Sequence, residues 1–147
     1  MPPTLGRAFP PSWDGYPPHM SPKDYTLWQP YRRDHLPTAT ALYFDVALGR
    51  GEIPDAPALP PIEAMWSRVT SFRADCIIDS PRSWTLVELR DNAGAGALGA
   101  VLLYADLWAA DPPDARPITL ELVTNHLHPD LARTLRRYGI RLTIVKP

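Results

Sequence analysis

Two acidic residues and one arginine occupy positions at which they could act together. Asp75 opens a short apolar run, Glu88 lies near the end of the next such run, and Arg90 follows two residues later. In an antiparallel hairpin the start of one strand lies beside the end of the next, so Asp75 and Glu88 would share one edge. Residues two apart on a strand point to the same face, so Arg90 would join them. We expect two carboxylates and a guanidinium to converge there, and two carboxylates can bind a hard cation.

The segments that would position these side chains predict a strand, a turn, a second strand, a loop and a helix. Residues 75–79 and 84–89 are rich in β-branched, aromatic and apolar side chains and are separated by a Ser-Pro turn, which is typical of two adjacent strands. The loop at 91–96 contains glycines but lacks the Gly-Lys-Ser/Thr of a phosphate-binding P-loop, so we interpret it as a turn. Residues 97–110 have the composition of a buried helix.

This pattern resembles the PD-(D/E)XK nuclease superfamily, in which an acid on one strand is followed by Glu-x-Lys on the next. The matching residues here are Asp75, Glu88 and Arg90. In family members a helix follows that often carries Gln-x-x-x-Tyr, and Ala100 and Tyr104 occupy those positions. The resemblance implies a restriction-endonuclease-like fold, a Mg²⁺ site at the two acids, and DNA as the substrate.

Two departures from the family pattern bear on catalysis. The family lysine orients and activates the attacking water, whereas the guanidinium of Arg90 stays charged and cannot serve as a base. Ala100 has no polar group to take the place of the family glutamine. Over roughly residues 62 to 146, which the resemblance covers, the motif is therefore degenerate. We expect no robust DNase activity with Mg²⁺ or Mn²⁺.

Length and composition limit the class of protein. A chain of 147 residues supports one domain with a single core and an arm. The lone Cys76 cannot form an internal disulfide, the N-terminus does not resemble a signal peptide, and the longest apolar segment, 97–104, is far shorter than a bilayer span. We therefore expect a soluble intracellular product without membrane association.

Charge and possible ligand pairs give weaker indications. The formal net charge is −1, so any contact with DNA needs a local patch. The most basic cluster comprises Arg133, Arg136, Arg137 and Arg141. On a helix such a cluster is a solvated face or, alternatively, a phosphate contact. Asp45 is either a metal ligand or a solvated strand-end acid, and the pair His126 and His128 is a weak candidate for metal binding because it lacks a third ligand.

Proline separates the first part of the chain from the rest. Of the 19 prolines, thirteen lie within residues 1–61, well above the usual share of about 5%. We predict an extended arm over residues 1–21, a domain over 22–147, and an extended connector at 52–61 within that domain. The arm either lies back on its own domain or binds a neighbour through its aromatic residues. Those residues are Phe9, Trp13 and Tyr16.

The other predicted elements follow from capping and periodicity. Ser21 as N-cap, Pro22 at the first helical position and Asp24 in a capping box predict a helix over 22–34. Residues 62–69 are a strand or a short helix, since periodicity does not decide between them. Further elements are strands at 39–48, 117–124 and 140–145 and a helix over 129–138 that Gly139 ends. Together these elements predict an α/β (α+β) fold with a mixed sheet flanked by helices.

Two functional hypotheses follow from the sequence. The favoured one is a structural or assembly protein, most simply a phage-type virion component of the head, neck or tail, in which the arm binds neighbouring subunits and no cofactor is needed. It would be found in the assembled particle and in the host cytoplasm during production. The acids and Arg90 would then form an internal ion pair. The alternative is a Mg²⁺-dependent DNA endonuclease or exonuclease that uses Asp75, Glu88, Arg90 and Tyr104.

Overall fold

The computed structural model describes residues 2–49 and 72–146. The predicted connector at 52–61 and the segment 62–69 lie outside the described residues. In the described part of the chain, no helix is long and apolar enough to cross a membrane. The elements along the chain are helix α1 (Pro22–His35), strands β1 (Ala41–Leu48), β2 (Phe72–Asp79) and β3 (Trp84–Arg90), helix α2 (Ala95–Ala110), strand β4 (Ile118–Thr124), helix α3 (Pro129–Arg137) and strand β5 (Ile140–Ile144).

The strands form one mixed sheet in the order β1-β2-β3-β4-β5. The pairs β1/β2 and β2/β3 are antiparallel, whereas β3/β4 and β4/β5 are parallel. Parallel neighbours require a crossover connection, and α2 and α3 supply the two crossovers. The prediction of a mixed sheet flanked by helices is therefore confirmed, with three helices and five strands among the described residues.

Helices cover both faces of this sheet. Successive strand residues point to opposite faces, and neighbouring residues of β3 accordingly contact different helices. Val87 packs in a buried cluster with Trp28 of α1, while Leu86 packs with Trp108 of α2. On β4, Leu122 packs with Leu135 of α3. The central strands are thus buried on both faces, and their polar side chains must find partners.

The predicted capping residues act as expected. The Ser21 hydroxyl accepts a hydrogen bond from the Asp24 N–H at 3.1 Å, and Pro22 occupies the start of α1. Pro30 lies inside the helix, which nevertheless continues to His35. Gly139 adopts φ +72°, a left-handed conformation in which a glycine avoids Cβ strain, and α3 ends before it. Local signals therefore set these boundaries.

A buried carboxylate links α1 to strands β4 and β5. Glu121 on β4 is 1% exposed and accepts hydrogen bonds from the Tyr31 hydroxyl at 2.8 Å and the Thr143 hydroxyl at 2.6 Å. Arg141 lies 3.8 Å away. Burial, and then the adjoining Glu121 charge, raise the pKa of Tyr31, so its hydroxyl remains a donor. This network holds α1 against β4 and β5.

The N-terminal arm lies on its own domain. Thr4 pairs with Ala47 and Phe9 with Leu42 as antiparallel bridges, and the Phe9 and Leu42 main chains exchange hydrogen bonds of 2.9 and 2.8 Å. The arm thereby covers the outer edge of β1, which would otherwise present unpaired backbone groups. Arg32 of α1 holds the arm by donating to the main-chain oxygen of Trp13 at 2.7 Å.

In this placement two of the three arm aromatics that were predicted as anchors pack within the chain itself. Phe9 is only 4% exposed and packs against Phe44 and Trp13. Trp13 is partly buried against the same core. Burying these rings within the chain removes their apolar area from water as effectively as binding a partner would. Of the three predicted anchors, only Tyr16 is largely exposed, at 49%.

Candidate active site

Asp75 and Glu88 meet where the ladder between β2 and β3 ends. The last paired residues are Cys76 and Val87, and continuing that register would place Asp75 opposite Glu88. There the Asp75 side chain accepts a hydrogen bond from the Leu89 N–H at 2.8 Å. The Glu88 carboxyl, which is 4% exposed, lies beside the Asp75 carboxyl and raises its pKa. The structure thus brings together the two acids that the hairpin pattern paired.

Arg90 lies between the acid pair and the start of α2. Its Nη2 is 3.4 Å from Glu88 Oε2, and its side chain is 40% exposed. On its other side, a Cβ placed on Gly96 would lie 3.8 Å from Nη1. Gly94, the N-cap of α2, supplies no side-chain hydrogen bond to the first turn. The guanidinium therefore adjoins a helix N-terminus, which carries partial positive charge.

The acid pair carries more negative charge than Arg90 neutralises. Burial, and then the hydrogen bond and charge of Glu88, raise the pKa of Asp75 to about 9, although the Leu89 N–H and Arg90 act in the opposite direction. Two carboxyl groups in contact cannot both ionise cheaply. At neutral pH the acid pair therefore keeps a proton. The internal ion pair predicted from the sequence leaves one carboxyl that a proton must neutralise.

Tyr104 of α2 belongs to the same electrostatic environment. Burial, followed by the charges of Glu88 and Asp75, raises the pKa of Tyr104 to about 12. Its hydroxyl is therefore protonated at neutral pH. In this site it can donate a hydrogen bond, but it cannot serve as a base.

Asp24 joins this site although the sequence indicated only a capping role for it. Burial, and then the charge of Asp75, raise the pKa of Asp24. Arg90 and Asp91 also act on it electrostatically. The first turn of α1 therefore adjoins the acid pair. An acid in the first turn is so common a capping feature that its sequence position alone did not distinguish the two roles.

A small cleft extends from Asp75 toward the arm. Its volume is about 20 Å³, room for roughly one water molecule, and it is lined by Pro18, His19, Met20, Asp45 and Asp75. Asp45 and His19 have left-handed φ values of 52° and 61°, and such strain tends to occur at functional sites. Arg73 donates to the Asp45 carboxylate at 3.3 Å. Asp45 is thus not simply solvated, but forms an ion pair with Arg73 beside the site.

The donor set restricts which metal the site suits. Among residues 2–49 and 72–146, no group of three or more His, Cys, Asp and Glu side chains is arranged to hold a metal. Mg²⁺ is commonly bound through one or two carboxylates with waters and substrate phosphates completing its shell. Asp75 and Glu88 fit that mode. They do not form a ready-made cage for a transition metal.

His126 and His128 both make hydrogen bonds near the start of α3. His128 is the N-cap of α3, and its Nδ1 accepts a hydrogen bond from the Asp130 N–H at 3.1 Å. His126 is exposed, and its main-chain oxygen accepts from the Ala93 N–H at 3.1 Å. His128 thus caps α3, whereas the hydrogen bond of His126 is made by its main chain.

Comparisons with family models, curated proteins and solved structures found no significant match to this chain.

Proposed function

We propose that Asp75 and Glu88 form a Mg²⁺ site and that the chain is a metal-dependent nuclease of the PD-(D/E)XK type acting on DNA. The observation that carries this proposal is geometric: two carboxyl groups meet where the β2–β3 ladder ends, with the guanidinium of Arg90 3.4 Å from Glu88. A divalent cation would replace the proton that the acid pair otherwise keeps and would neutralise both carboxylates. A carboxyl pair retained only for an ion pair with Arg90 would not need the second acid.

Arg90 supplies the complementary half of the site. Mg²⁺, when bound, polarises a phosphoryl oxygen and lowers the pKa of bound water. Arg90 would bind the non-bridging oxygens of the scissile phosphate, assisted by the uncapped N-terminus of α2 beside Gly96. Charge that develops on those oxygens would be stabilised by these fixed donors. Arg90 and Tyr104 cannot accept the proton of the attacking water at neutral pH. Solvent must therefore accept that proton, and we expect slow turnover.

The order of the elements also supports this proposal. The acid-bearing strand β2, the Glu-x-Arg strand β3 and the helix α2 are consecutive in the chain, and β4 then returns parallel to β3. The first three of these elements occur in the order that the resemblance implied. The first turn of α1 adds Asp24 near the same edge.

A cleavage assay with matched variants tests the proposal. We expect wild-type protein with Mn²⁺ or Mg²⁺ to nick supercoiled plasmid, Glu88→Gln to abolish nicking, and Asp106→Asn, which alters an exposed acid, to leave it unchanged. Arg90→Lys should accelerate cleavage because an ammonium can exchange a proton. Wild-type activity no higher than that of Glu88→Gln, together with no gain in Arg90→Lys, would overturn the proposal.

Assembly within a phage-type virion is the second candidate. It is favoured by Arg90 and Ala100 at the positions of the family lysine and glutamine, and by Tyr16, which is 49% exposed on the arm. Other subunits of the particle would be its partners. We expect mass photometry of the full chain to detect oligomers that Tyr16→Ala disrupts. A monomer at all concentrations, in both proteins, would count against self-assembly through this surface.

A further inference from the structure

Helix α3 carries an unusual concentration of unpaired positive charge. Arg133, Arg136 and Arg137 lie within its nine residues and are all exposed. In the part of the chain that the structure describes, none of the three has a carboxylate within 4.0 Å, whereas several other arginines do. Those paired arginines are Arg33, Arg73, Arg90, Arg116 and Arg141.

Helix stability alone does not account for this arrangement. Arg136 and Arg137 lie in the last turn, where positive charge interacts favourably with the helix dipole. Arg133, by contrast, is in the middle of the helix, at i,i+3 and i,i+4 spacing from the other two, and like charges at that spacing repel. The apolar side of α3 is satisfied, since Leu135 is fully buried. The arginines therefore form an outward surface whose natural complement is an anion.

The helix begins at the same edge of the sheet as the acid pair. Ala93, which follows β3, forms a parallel bridge with Leu127, which precedes α3. From Pro129 the helix rises about 1.5 Å per residue, which places Arg133 roughly 6 Å and Arg137 roughly 12 Å along its axis. A long polyanion that passes the Glu88–Arg90 edge can thus continue along α3. A compact anion does not extend along the roughly 12 Å of this helix.

We propose that Arg133, Arg136 and Arg137 form a binding surface for the phosphate backbone of duplex DNA. Guanidinium groups match phosphate oxygens in bidentate geometry, and backbone contacts of this kind bind without regard to base sequence. The inference extends the proposed function by locating where the DNA lies. It does not depend on cleavage, because this surface binds without metal and without an active acid pair.

Binding measured in EDTA separates this proposal from the proposed nuclease. A fluorescein-labelled 20-bp duplex is titrated with full-length protein at several salt concentrations and followed by anisotropy. The Arg133→Ala/Arg136→Ala/Arg137→Ala variant is compared with a control that also loses three exposed positive charges, at Arg33, Arg82 and Lys146. The single variant Glu88→Gln shows whether binding requires the acid pair.

The expected result is a difference in salt dependence. Each lost phosphate contact reduces the slope of log Kobs against log salt by about 0.9, so the α3 variant should lose about 2.7. The control and the Glu88→Gln protein should bind as the wild type does. Undetectable binding by the wild type, equal losses in the α3 variant and the control, or equally tight binding of polyglutamate would each overturn the proposal, even if plasmid nicking is observed.

Discussion

Replacing Asp75 by Asn should stabilise the protein at neutral pH in the absence of metal. Asn has nearly the shape of protonated Asp, retains an oxygen to accept the Leu89 N–H, and can donate to Glu88. The wild-type folded state must instead hold a proton that the unfolded chain releases near its ordinary pKa of 3.8. The substitution removes that requirement, since an amide does not ionise.

The magnitude follows from linkage. The pKa of Asp75 is raised from 3.8 to about 9, so the folded state binds more protons than the unfolded state between these values. The contribution of Asp75 to stability is therefore fully present below pH 3.8 and is lost as the pH rises toward 9. The pH of 7 lies about 3 units above the unfolded-state pKa of 3.8. At about 1.4 kcal/mol per unit, keeping the proton therefore costs the folded state about 4 kcal/mol at pH 7. Asp75→Asn should recover up to that amount at pH 7 and almost none at about pH 4.

Urea unfolding in EDTA, followed by tryptophan fluorescence, measures this difference. Trp28 and Trp108 are almost fully buried and will report on loss of the core. The control is Asp106→Asn, which alters an exposed acid and should shift the midpoint little at either pH. An Asp75→Asn protein no more stable than wild type at pH 7, or a difference that is the same at both pH values, would refute the account of the buried acid pair.

Two further substitutions test the packing that surrounds the site. Tyr31→Phe should lower the free energy of unfolding by about 1.5–3 kcal/mol, because the buried Glu121 carboxylate loses the hydrogen bond from the Tyr31 hydroxyl. The control, Tyr138→Phe at an exposed ring, should change this free energy by less than about 0.5 kcal/mol. Phe9→Ala should lower the free energy of unfolding by about 3–5 kcal/mol and Tyr16→Ala by much less, both measured by urea unfolding. Equally small effects of the two substitutions would show that the arm is not part of the folded core.

Local signals explain why most elements were predictable from the sequence. Ser21 and Pro22 marked the start of α1, and Gly139 marked the end of α3, because capping preferences depend on a few adjacent residues. The Ser-Pro turn between two apolar runs indicated the β2–β3 hairpin. A hairpin brings known positions together, so the meeting of Asp75 and Glu88 was predictable from the same local information.

Contacts between distant segments account for what the sequence did not predict. Tyr31 and Glu121 are 90 residues apart, and nothing in either segment indicates the other. The pairing of Phe9 with Leu42 likewise depends on the open edge of β1, which exists only once the sheet has formed. The left-handed backbone of Asp45 lies in an otherwise ordinary strand-forming run. Asp can adopt this conformation more readily than most residues, but it seldom does so within a strand.

The central claim is that the acid pair binds a divalent cation, and Mn²⁺ binding measured by calorimetry in buffers of different ionisation enthalpy tests it most directly. We predict that wild-type protein binds a single Mn²⁺ near pH 7 and releases about one proton, because Asp75 must give up its proton to become a ligand. Glu88→Gln should lose binding, and Asp106→Asn should retain it. Absence of Mn²⁺ binding, or binding that neither releases a proton nor responds to Glu88→Gln, would contradict the account.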